Sequence, residues 1–115
     1  MAIYLDLPYP PTVNHYWGQS GKRRFLGKKG VEFREEVIKA FRRSMQKSVD
    51  GRLSVHIDLF PPDRRIRDID NVVKAIFDAC QHAECYENDS MIDELHIVRR
   101  EIVKGGACVI AIISI

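Results

Sequence analysis

The sequence predicts an α+β fold, a single domain spanning residues 1–115 in which two helices pack on a mixed sheet in the order β-α-β-α-β-β. Three observations point there. Two stretches, 2–7 and 53–59, alternate apolar and polar residues as half-buried strands do. Two others, 28–46 and 69–81, repeat apolar residues at helical spacing. The C-terminal third is rich in β-branched residues.

In the first strand Ile3, Leu5 and Leu7 share one face, and Pro8, Pro10 and Pro11 end it. Residues 12–27 (TVNHYWGQSGKRRFLG) read as a glycine-containing loop holding Tyr16, Trp17 and Phe25. The first helix, from about Lys28 to Gln46, carries the stripe Phe33, Val37, Phe41 and Met45, widened by Val31, Ile38 and Ala40. Asp50-Gly51 is a turn. Leu53, Val55, Ile57 and Leu59 then alternate with Ser54, His56 and Asp58 until Pro61-Pro62. The second helix, about Ile69 to Gln81, has Ile69, Val73, Ile76, Phe77 and Cys80 as its expected buried stripe. Residues 83–91 form a polar loop. Strands are expected over 93–103 and 106–115, joined as a hairpin at Gly105-Gly106. The last, ACVIAIISI, is apolar enough to lie mid-sheet, covered on both faces.

The chain's 115 residues suit one domain, and its 45% apolar and 30% charged residues are ordinary for a soluble protein. No apolar run approaches the roughly 20 residues of a membrane span. MAIYLDLPYPP lacks the basic start and apolar run of a signal peptide. Three cysteines, an odd number, argue against a disulfide framework and for the reducing cytoplasm. Cys80, His82 and Cys85 form only a loose zinc-like spacing, and Cys80 falls on the helix stripe. No glycine-rich phosphate loop or Ser-His-Asp order is evident, and no small-molecule cofactor is expected.

Charge is unevenly placed. Net charge is +2, yet the segment from Lys22 to Arg43 carries +6. It includes Lys22, Arg23, Arg24, Lys28 and Lys29, a candidate surface for a phosphate backbone, or else a solvated helix face.

The stretch RRIRDIDNVVKAIFD (64–78) sets Arg64, Arg65 and Arg67 directly before Asp68 and Asp70, with Lys74 one helical turn beyond Asp70. Asp89 lies in the loop after this helix. Three carboxylates converging at one end of a sheet would make a hard-oxygen site for Mg²⁺ or Mn²⁺, which activate water for phosphodiester hydrolysis. Lys74 would stabilise transition-state charge, and the arginines would hold flanking phosphates. A structural account competes: Asp at a helix start is a cap, and Asp70–Lys74 is an ordinary i,i+4 pair.

The run from Pro62 to Asp78 (PDRRIRDIDNVVKAIFD) resembles the signature of the RusA family of Holliday junction resolvases. LPYPPTVNHYW (7–17) resembles that family's N-terminal segment, and Tyr86-Glu87-Asn88-Asp89-Ser90 its downstream acidic loop. The resemblance implies that Asp68, Asp70 and Asp89 bind Mg²⁺, with Mn²⁺ able to substitute, and that Lys74 is catalytic. It implies a homodimer that cuts four-way junction DNA in paired, symmetric fashion, as suits a near-twofold substrate. Asn88 departs from the family's usual pair of adjacent acids. Tyr16 and Trp17 are candidates for stacking on unpaired bases, or for tucking the loop onto the core. The competing functions are a non-catalytic junction-binding module and a hydrolase of small phosphate esters.

Overall fold

The computed structural model describes residues 1–115. Strand β1 (Ala2–Leu7) is followed by a single helical turn, α1 (Val13–Tyr16), and by a two-stranded hairpin, β2 (Trp17–Ser20) and β3 (Arg23–Leu26). Helix α2 (Lys28–Ser44), strand β4 (Leu53–Phe60), helix α3 (Val73–His82), and strands β5 (Ile92–Arg99) and β6 (Ala107–Ser114) complete the chain. The main sheet has the order β1-β6-β4-β5. It is mixed: β4 and β5 are parallel, and the other pairs antiparallel. Parallel neighbours need a crossover, which α3 supplies.

The α+β reading therefore holds, with specific corrections. Residues 17–26, expected as loop, form the β2–β3 hairpin, with Gly21 at φ +61 in its turn. Strands β5 and β6 are not a hairpin. β4 lies between them, and the chain from Arg100 to Gly106 crosses its end, where Val103 N–H donates to the Pro61 carbonyl at 3.0 Å. Composition explains this. β6 carries Cys108, Ile110 and Ile112 and takes a central position between two partners. β5 carries Glu94, His96 and Arg99 and takes the edge, where charge is tolerated and blunts strand pairing.

The core lies between one sheet face and the helices. Ile3, Leu5, Val55, Ile57, Ile110 and Ile112 meet Phe33 and Val37 of α2 and Ile76 and Cys80 of α3. The other sheet face is uncovered, so β6 is buried on one side only. Tyr4, Val109 and Val98 stand exposed there, and the His56 and His96 rings stack at 4.4 Å. Met45, expected in the α2 stripe, is 86% exposed because it occupies the left-handed cap position at φ 58. The second helix begins as a 3₁₀ turn (Ile69–Val72), and its buried face is Val72, Ala75, Ile76, Ala79 and Cys80. Cys80, Cys85 and Cys108 are all free and buried; burial pushes the Cys108 thiol up to about 12.

Candidate active site

The 61–68 loop is built by its own charges. Asp63 accepts from the Arg65 N–H at 2.9 Å and pairs with the Arg67 guanidinium at 2.8 Å. Arg67 also donates to the carbonyls of Asp63 and Arg65, and lies 5.6 Å from the Tyr9 ring centroid. Arg99, at the end of β5, donates to the Arg67 carbonyl at 2.5 Å. The Arg67 hydrogen bond, then that of the Arg65 amide, holds the Asp63 carboxyl below its ordinary range. Arg67, expected to hold phosphate, is thus a loop clamp with its side chain only 19% exposed. Arg64 and Arg65 remain exposed.

Asp68 occupies the cap position of the 3₁₀ turn, yet its side chain makes no capping hydrogen bond. Asp70, in that first turn, is exposed and does not pair with Lys74. Lys74 instead places Nζ 3.2 Å from Asp89 Oδ2. The structural roles that compete for these two acids, cap and i,i+4 partner, are therefore not used here. Asp89 opens a short 3₁₀ turn (Asp89–Met91), and its N–H donates to Gln81 Oε1 at 2.8 Å. Asn88 caps that turn by accepting from the Ser90 N–H.

The three acids do not gather at one sheet end. Asp68 follows the loop that Arg99 holds at the end of β5, and Asp89 lies just before its start. No three His, Cys, Asp or Glu side chains lie close enough to hold an ion. Lys74 already balances Asp89 and competes with any cation for its oxygen. The donor set nevertheless fits a hard divalent ion in kind: all-oxygen, with two exposed carboxylates free of other partners.

The basic segment reaches this region. Lys29 from α2 lines a cleft of about 350 Å³ together with His15, Arg65, Ile66, Asp68 and Asn71, below the proline run of residues 10–11. Lys22, Arg23, Arg24 and Lys28 are exposed on the hairpin and the start of α2. Arg24 stacks over the Trp17 ring at 4.1 Å, covering a surface expected to meet bases. Tyr16 is fully buried, which removes it from DNA stacking altogether.

Tyr16 serves the interior instead. Its hydroxyl donates to Asp78 of α3 and accepts from Arg34 Nε of α2 at 2.8 Å, while Arg34 pairs with Asp78 at 2.7 Å. Burial and then the Asp78 hydrogen bond push the Tyr16 hydroxyl up. Burial works against the charged form of Asp78, but hydrogen bonds from Tyr16 and Arg34 outweigh it and hold its carboxyl below the ordinary range. This triad ties α1, α2 and α3 together one turn behind Lys74. The only sequence signal was Asp78 inside an apolar helix.

The model of the family described as endodeoxyribonuclease RusA matches residues 8–112. The chain belongs to the RusA endodeoxyribonuclease family. It is 34% identical over 101 residues to the crossover junction endodeoxyribonuclease of Enterobacteria phage HK97, covering 87% of this chain and 84% of that protein. Its identity to the enzyme of Enterobacteria phage 82 is 30% over 106 residues, with 91% and 88% coverage. Against the Escherichia coli K12 enzyme it is 30% over 103 residues, with 89% and 86% coverage. The family match takes in all of the arginine loop, Asp68, Asp70, Lys74 and Asp89.

Proposed function

We propose that this chain resolves four-way DNA junctions as a Mg²⁺-dependent homodimer. Membership of the family makes it an endodeoxyribonuclease, a hydrolase of phosphodiester bonds. The observation that carries the finer reading is the cleft lined by Lys29, Arg65, Asp68 and Asn71. Its cations would receive a backbone phosphate, and the Asp68 carboxylate among them makes no capping hydrogen bond.

Asp68, Asp70 and Asp89 would hold the ion, which requires them to draw closer together than they lie in the free chain, with Mn²⁺ able to replace Mg²⁺. Bound there, the ion supplies Lewis-acid polarisation of a phosphoryl oxygen and lowers the pKa of a water. The protein's own residues do the rest. Lys29 and Arg65 bind the strand beside the acids. Lys74, which pairs with Asp89, would offer its ammonium to the charge that builds on the phosphate oxygens. The Asp63–Arg67 clamp keeps Arg65 and Asp68 in register without contacting substrate.

Two cuts at symmetric positions call for two copies. The uncovered sheet face, with Val98, Val109 and Tyr4 exposed, supports pairing through that side. An open cleft suits DNA better than a small ester, which would need enclosure.

The test is incubation of the purified chain with an end-labelled four-way junction, with and without Mg²⁺, alongside sedimentation of the free protein. Paired symmetric nicks only with Mg²⁺, from a species of twice the chain mass, are expected. Cleavage of linear duplex at the same rate, or nicking in chelator, would overturn the reading.

A further inference from the structure

Ile66 is the most exposed large apolar side chain of the molecule, at 100%. A single exposed apolar residue is ordinary. What sets Ile66 apart is how it is held. The backbone before it is fixed by the Arg65 N–H bond to Asp63 and by Arg67 bonding the Arg65 carbonyl. The backbone after it is fixed by Arg99 on the Arg67 carbonyl, and the Arg67 guanidinium lies over the Tyr9 ring. The loop cannot readily fold the isoleucine back onto the protein. It projects between Arg65 and Arg67, two residues from Asp68, on the rim of the cleft shared with Lys29.

We propose that Ile66 is a wedge that enters the base stack at the junction crossover and sets the preference for branched over linear DNA. The inference rests on the function proposed above. Apolar side chains that enter base steps must break stacking. That cost is high within continuous duplex and lowest where stacking is already interrupted, as it is where strands exchange. Arg64 and Arg65 neutralise phosphates beside the opening, so the apolar tip and its cationic neighbours act on one step. Ile66 is a specificity residue; it takes no part in the bond-breaking chemistry.

The experiment places 2-aminopurine at the crossover of a four-way junction and follows its fluorescence on binding of the full chain without divalent ion. Wild-type protein should raise the signal as the base unstacks. Ile66→Ala should melt like wild type, since the side chain touches nothing, and still bind the junction, but lose most of the rise. Its preference for junction over duplex of equal length should fall about tenfold, through weaker junction binding, as expected when an apolar wedge is lost. Ile66→Met should restore both. Full fluorescence and selectivity in Ile66→Ala would overturn the proposal. So would dissociation of the dimer by Ile66→Ala, which would make the residue a contact between copies. A wild-type chain that fails to bind the junction would overturn the functional reading along with the wedge, whereas an unaffected Ile66→Ala removes the wedge alone.

Discussion

Lys74 Nζ sits 3.2 Å from Asp89 Oδ2, joining α3 to the turn that precedes β5 across 15 residues of sequence. The helical neighbour Asp70 is passed over. An amine that has left its i,i+4 partner for a distant acid holds together two parts of the candidate site that the chain alone does not connect.

That pair is open to solvent, with Lys74 54% exposed, so its contribution to stability is small, at most about 1 kcal/mol. Lys74→Ala is expected to melt within a few degrees of wild type and to bind junction DNA almost normally. Its single-turnover cleavage rate should fall by roughly 10²–10³, the usual effect of removing one transition-state charge partner. Cleavage time courses and thermal melts on the same preparation check both halves.

The Tyr16–Arg34–Asp78 triad has the opposite signature. It is half-buried and joins three helices, so Asp78→Ala should cost about 1–3 kcal/mol by leaving Arg34 and Tyr16 without their acceptor. Because the folded Asp78 carboxyl is held below its ordinary value, its stabilisation is present above the unfolded value of about 4. It is lost as pH falls through the folded value. Urea unfolding at pH 7 and at pH 3 should show wild type losing more stability on acidification than Asp78→Asn.

These two networks show what the sequence could and could not carry. Strands β1 and β4 were legible because their alternation is regular and one face is buried. Cys80 was placed correctly by the helical stripe. The β2–β3 hairpin is not legible because WGQS and RRFL are too short and too polar to display a period. Gly105-Gly106 is a true turn signal, at φ +83 and +73, but it closes a crossover loop and not a β5–β6 hairpin. Nothing local indicates that β4 intervenes. Candidate acids could be read from their spacing, whereas their partners could not. Asp78 meets Tyr16 across 62 positions and Arg34 across 44. The clamping role of Arg67 is hidden for a different reason: Arg64, Arg65 and Arg67 look alike until Asp63 draws Arg67 in to 2.8 Å and leaves Arg65 Nε at 3.7 Å.

The two arginines should therefore separate on mutation. Arg64 is exposed and makes no ion pair, so Arg64→Ala should weaken DNA binding and lower the slope of log K against log salt by about 1. Arg67→Ala should loosen the loop and slow cleavage by more than its effect on the salt slope explains. Titrations of a fixed junction between about 50 and 200 mM salt measure the difference.

The account stands on the carboxylate of Asp70, exposed and unpaired, in the chain between Asp68 and Asn71 of the cationic cleft. Asp70→Asn keeps the shape and removes the charge. The decisive measurement is Mg²⁺-dependent cutting of a labelled four-way junction by this variant, set against its binding of the same junction. Cleavage reduced to background with binding unchanged is the expected result, and cutting at the wild-type rate would contradict it.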